Sequence, residues 1–180
     1  SDKDKADQKV AAEVPFSTVG SQNSIYNMSF DDWTSVDGVM YPALSLDEAH
    51  YVWDTANKAA KVVSKTPTNK ESGIVISGNA AKLTSVTAFG VLAAGNIYTG
   101  KFGNIDGVGA VLYWGHKFDS RPLAMRGWYR YEPVNIDIAS DNYSHLKGQP
   151  DFCQIQIFLA KWTNQFEINT KKGQFVDLSN

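Results

Sequence analysis

Three arginines, Arg121, Arg126 and Arg130, fall within ten residues of one another in "DSRPLAMRGWYRYEP", while the other fourteen side-chain cations, histidines aside, are lysines. A guanidinium is a planar fork that stacks on aromatic rings and grips paired oxygens, whereas an ammonium is a hydrated point charge. If this stretch is a strand, Arg126, Trp128, Arg130 and Glu132 share one face, and Gly127, Tyr129 and Tyr131 share the other. Such a face has two readings. It can be a ladder of salt bridges and cation–π contacts against a neighbouring strand. It can equally be a ligand platform, with Trp128 stacking on a flat apolar patch and the charged groups taking hydroxyls.

A second cluster stands in "HYVWDTANKA", residues 50–59. Trp53 is either a core anchor or one wall of a ligand site beside Asp54 and Asn57, two short polar groups that can also bond their own backbone. A third candidate is the pair Asp31 and Asp32 in "SFDDWT". At the end of a strand one of them points inward, which is costly unless the carboxylate is paired or holds a cation, so a structural calcium ion is an expectation here. The alternative is that the strand has ended and Asp32 caps a turn.

Other chemistries find no support. His50, His116 and His145 are scattered, without a second ligand at metal-binding spacing. No nucleophile elbow or phosphate loop is present, since "FGNIDGVG" lacks the strand–turn–helix setting that a phosphate loop needs. The one cysteine, Cys153, permits no internal disulfide and no cysteine-based zinc site.

The elements that would position these residues read as short strands. Two-residue alternation predicts strands at "IYNMSF", "AAKLTSV", "NIYTGKF", "AVLYWG", "RGWYRYEPV", "FCQIQIFLA" and "GQFVDLS". Turn-rich links such as "TPTNKESG", "DSRP" and "KGQPD" separate them. Only residues 45–51 and 54–61 could form short helices. In "FCQIQIFLA" the phase places Cys153, Ile155, Ile157 and Leu159 on one face and Gln154, Gln156 and Phe158 on the other, which predicts a core thiol at Cys153. Residues 1–13 alternate Asp and Lys without an apolar face and predict a flexible tether, leaving residues 14–180 as one β-sandwich domain. An all-β, antiparallel two-sheet sandwich or jelly roll is the expected fold class.

Composition narrows the class. Of the 180 residues, 43% are hydrophobic and 20% are charged, the balance of a globular chain. A net charge of −2 supplies no basic field for nucleic acid. No segment has the apolar length of a membrane span. Five Trp and eight Tyr form an aromatic surplus, suited to a β-rich core or to a stacking surface.

Taken in order, "FDDWT", "YVWDTAN", "AAKLTS", "AAGNIYTGKFG", "WGHKFDSRPLAMRGWYRYEP" and "LKGQPDFCQIQIFLAKW" resemble the putative carbohydrate-metabolism domain of secreted and surface lipoproteins of gut anaerobes. The similarity runs from about residue 28 to the C-terminus. It implies a fold like that of jelly-roll carbohydrate-binding modules and a glycan-related role outside the cytoplasm. The setting it implies is the outer surface of a Gram-negative bacterium, with a lipid anchor upstream of residue 1. Trp53, Asp54 and Asn57 fall on signature positions. Family domains continue past the region matching "QFVDLSN" with strands that complete the sandwich. The chain is therefore expected to be a fragment, a short member, or one whose last strands come from a partner.

Three functions follow as expectations. The first is a non-catalytic glycan-binding accessory domain that needs no cofactor and takes an oligo- or polysaccharide. The second is a glycoside hydrolase or lyase, with Glu132, Asp119 and Asp54 as candidates; hydrolysis needs two carboxylates roughly 5 to 9.5 Å apart. The third is a surface assembly subunit whose sandwich is finished by a partner's strand.

Overall fold

Hydrogen-bonded pairing is antiparallel in every ladder among the described residues. The structure, a computed structural model, describes residues 25–88, 91–120, 122 and 124–177. The expectations for residues 1–13 and for Arg121 lie outside that set.

The strands are β1 (Thr34–Val36), β2 (Val39–Tyr41), β3 (Trp53–Thr55), β4 (Thr68–Glu71), β5 (Ala80–Leu83), β6 (Val86–Ala88), β7 (Val91–Ala93), β8 (Ile97–Asp106), β9 (Gly109–Trp114) and β10 (Phe166–Asn169). Among the described residues they form one four-stranded sheet, ordered β10-β9-β8-β3, and three two-stranded ones, β1-β2, β4-β5 and β6-β7. The antiparallel β-structure expected from the alternation is present, but in several sheets and not in the two expected. No sheet among the described residues closes into a jelly-roll barrel.

Contacts divide the described chain into two compact units, residues 120–160 and residues 25–119 with 161–177. The larger unit holds both buried apolar clusters. Tyr98, Phe102, Leu112 and Ile168 form one, with Trp114 and Phe166 packed against it. Val39, Tyr41 and Ala43 form the other, with Leu46 and Tyr51 beside them. Each large side chain so buried stabilises by roughly 1.5–3 kcal/mol. The β1-β2 hairpin turns on Asp37 (φ 50°) and Gly38 (φ 72°), the Asp-Gly pair that a type I′ turn requires.

Several expected elements are absent, each for a local reason. "IYNMSF" is a turn, not a strand. Asn27 and Phe30 have positive φ, and the Asn27 amide donates to the carbonyls of Asp32 and Pro42 while its oxygen accepts the Asp32 N–H. That side chain takes the bonds a ladder would use. Residues 45–51 make no helix beyond a single turn: the Asp47 carboxylate caps it, accepting the Ala49 and His50 N–H groups at 2.9 and 3.1 Å, and the chain enters β3 at Trp53 before a second turn can form. The helix expected at 54–61 begins later, as one turn at Asn57–Ala60 followed by a 3-10 turn at Lys61–Val63, since residues 53–55 pair with β8 instead.

In the smaller unit, "RGWYRYEPV" makes a β-bridge at Trp128 but no strand, and residues 151–160 join no ladder among the described residues. The core thiol expected at Cys153 is overturned, because the cysteine is exposed. Ile155 and Ile157, each 57% exposed, stand with it. Alternation there records a two-faced extended chain, but no partner covers its apolar face among the described residues.

Candidate functional site

The "WDTAN" residues lie in the larger unit, and sheet phase separates their directions. Asp54 is paired with Tyr98 across β3 and β8, while Trp53 is paired with Thr99. Asp54 therefore projects to the side of Tyr98 and Phe102. It is 1% exposed. Its Oδ2 accepts the Phe102 N–H at 2.7 Å and the Tyr51 hydroxyl, and its Oδ1 accepts the Thr55 N–H at 2.7 Å. Loss of water raises the Asp54 carboxyl above its ordinary value, against the opposing effect of those donors. Burial and the adjacent Asp54 also push the Tyr51 phenol far up.

Asn57 is fully enclosed. Its amide donates to the carbonyls of Met40 (2.8 Å) and Thr68 (2.7 Å), and its oxygen accepts the Thr68 N–H at 2.9 Å. Trp53 is half-buried. Its indole N–H donates to the Tyr26 carbonyl at 2.7 Å, and its ring meets Phe30 edge-on, with centroids 5.1 Å apart. All three side chains thus hold loops and strands together through protein partners.

Asp31 and Asp32 follow the 26–29 turn. Asp31 Oδ1 accepts the Asn79 N–H at 2.7 Å, and the Asn79 amide returns a bond to the Asp31 carbonyl at 2.9 Å. That N–H holds the Asp31 carboxyl below its usual range. The Asp32 carboxylate accepts the Tyr26 hydroxyl. Asp31 ties the turn to the loop before β5, and Asp32 holds Tyr26 of the turn itself. Among the described residues no three His, Cys, Asp or Glu side chains gather as a metal site.

Arg126, Trp128, Arg130 and Glu132 lie together in the smaller unit and all are exposed. Trp128 is 60% exposed, and Arg130 is ion-paired with Glu132. This stretch therefore offers a wetted indole beside guanidinium donors and a carboxylate acceptor. Chemically that can stack on a flat ring and exchange hydrogen bonds with hydroxyls.

The residues that sequence reasoning missed are the phenols around Asp54 and a second aromatic tier. Tyr98 and Trp114 lie with ring centroids 5.8 Å apart, and Trp162 and Phe166 with theirs at 5.1 Å. Phe166 pairs with Trp114 across β9 and β10. The Tyr98 hydroxyl and Trp114 indole N–H are buried without a hydrogen-bond partner among the described residues. The signal for the tier was the shared phase of Tyr98 and Phe102 in "NIYTGKF" and the Trp114 of "AVLYWG"; which strands would be neighbours was not readable.

No described helix is long and apolar enough to cross a membrane. A family model described as a putative carbohydrate metabolism domain matches residues 29–178. No curated protein and no solved structure matches the chain significantly.

Proposed function

The chain belongs to the putative carbohydrate metabolism domain family, and from that premise we propose that it is a glycan-binding accessory domain. In this reading Trp128 is the stacking surface, and Arg126, Arg130 and Glu132 supply hydrogen bonds to hydroxyls. The observation that carries the proposal is the exposure of Trp128 among exposed charged groups. A core tryptophan would have its faces covered, and a salt-bridge ladder would not need an indole.

Binding is favoured over hydrolysis by the surroundings of the carboxylates. Asp54 is enclosed by protein donors and Glu132 is tied to Arg130. A hydrolase needs two carboxylates facing one bond, one with a raised pKa and access to the substrate. The sheets would pack as a sandwich, and the domain would act outside the cytoplasm at a Gram-negative outer surface, as the motif resemblance implies.

A shallow platform leaves much of its ligand in water, so the affinity belongs on the order of 1 mM to 1 μM. The test is an affinity-gel or glycan-array screen with host and plant polysaccharides. Wild type should be retained by at least one glycan, and Trp128→Ala should lose retention while its melting temperature stays within about 2 °C. Retention equal in the two proteins would remove Trp128 from the site, and a large fall in melting temperature would make it a structural residue.

Such binding requires no cofactor. The calcium ion expected at Asp31 and Asp32 stands beside it as a separate proposal. A chelator that lowers the melting temperature, with recovery on adding calcium, would support it. An unchanged melting temperature would leave the two carboxylates their turn-holding role alone.

A further inference from the structure

Residues 151–161, "DFCQIQIFLAK", run without a helix, turn or bend, and none has positive φ. Residues 151–160 join no ladder among the described residues, although at the start of the run the Asp151 N–H donates to the Val134 carbonyl and the Phe152 N–H to the Asp151 carboxylate, each at 2.8 Å. Phe152 is 73% exposed and Leu159 62%, with Ile155, Ile157 and Cys153 exposed between them. An extended apolar run of this kind offers itself to another strand.

We propose that this run pairs antiparallel with the same run of a second copy of the chain, about a two-fold axis through Gln156. The argument is its self-complementarity. In that register Asp151 faces Lys161 at both ends, an opposite-charge pair of the kind that stabilises a cross-strand position. Ile155 faces Ile157, Cys153 faces Leu159, Phe152 faces Ala160, and Gln156 faces its own copy. Shifting the sum of paired positions by one puts Lys161 against Pro150 or Phe152. A further step sets it against Gln149 or Cys153, so each of these shifts loses both ion pairs.

The ends of the run fit the same picture. Pro150, which has no N–H to donate, forms an isolated antiparallel bridge with Asn135 just before the run, and the chain bends at residues 163–164 just after it. A two-fold contact of this type is isologous and closes on itself, so it yields a dimer and not a fibre. Backbone bonds would supply affinity and the alternating side chains would supply register. A dimer would also carry two copies of the Trp128 surface, which raises avidity for a repeating glycan.

The full chain provides the test. Sedimentation should show a dimer at micromolar concentration. Ile157→Lys should raise the dissociation constant at least about 30-fold, the loss expected of a central interface anchor. Asp151→Lys should weaken the dimer, and Asp151→Lys with Lys161→Asp should restore it, a rescue that mere misfolding would not give. In a Cys153→Ser background, Gln156→Cys should oxidise to a disulfide-linked dimer while Gln154→Cys, facing Phe158, should not. A monomer at every concentration overturns the proposal. If Cys153 is then shielded from thiol reagents, the run is covered within its own chain; if it reacts freely, the partner is not a second copy. Equal cross-linking at 154 and 156 overturns the register.

Discussion

The Asp54 carboxyl carries a pH signature that can be read in solution. Loss of water raises it above its ordinary value of 3.8, in spite of the donors from Tyr51, Phe102 and Thr55. A raised native value means that the folded state keeps its proton to higher pH than the unfolded chain does. The stability that Asp54 contributes is then complete below about pH 4 and is lost as pH rises through the native value. Asp54→Asn has no such proton, and its amide would turn a donor toward an N–H now bonded to a carboxylate oxygen. The variant should be less stable by about 1–3 kcal/mol at pH 3. That gap should narrow toward pH 7 in urea melts, and a gap that widens with pH would refute the assignment. Gly78 offers a second test at this scale. Its φ is +60°, and a Cβ there would lie 2.0 Å from Asp31 Oδ1. Gly78→Ala combines backbone strain with the loss of the Asp31 tie, and should cost about 1–3 kcal/mol in denaturant melts.

Between elements, Asn57 works as a clamp. One amide joins β2, through the Met40 carbonyl, to β4, through both backbone groups of Thr68. Asn57→Ala strands buried donors and acceptors on two strands and should cost about 2–4 kcal/mol by chemical denaturation. Asn57→Asp should not rescue it, since a carboxylate cannot donate to two carbonyls; a stable aspartate variant would show that the clamp is dispensable. This clamp was half legible. "WDTAN" stood out as a polar-aromatic cluster, but the strands it joins lie 17 and 11 residues away. The pairing cores of β8 and β9 were plain in the alternation of "NIYTGKF" and "AVLYWG", because one face of each is buried in the cluster of Tyr98, Phe102 and Leu112. The same rhythm in "RGWYRYEPV" and "FCQIQIFLA" predicted strands, but the first makes a β-bridge at Trp128 and no strand, and the second joins no ladder among the described residues. Alternation records which face is apolar and is silent about who covers it, so Cys153 was placed in a core that the described chain does not build there. In "IYNMSF" the Asn27 side chain decided the outcome, a local competition that periodicity does not register.

Across the whole molecule the charge balance constrains which glycans the proposed surface can take. The chain carries −2 at neutral pH, so its long-range field does not draw in acidic polysaccharides. Near Trp128 the two guanidiniums of Arg126 and Arg130 are partly offset by Glu132, which is bonded to Arg130. Stacking on an indole and hydrogen bonds to hydroxyls depend little on ionic strength, whereas attraction between exposed charges is screened within about 10 Å at 0.1 M salt. A neutral polysaccharide is therefore the expected ligand class, and its retention on an affinity gel should be nearly unchanged between about 0.05 and 0.5 M salt. Arg126→Gln should then weaken retention modestly and equally at both salt concentrations, because it removes hydrogen-bond donors and not a steering charge. The contrary result is equally clear. Retention that falls steeply with salt, and that Arg126→Gln abolishes only at low salt, would mean that the guanidiniums read carboxylates or sulfates. Trp128 would then be a neighbour of the site and not its centre.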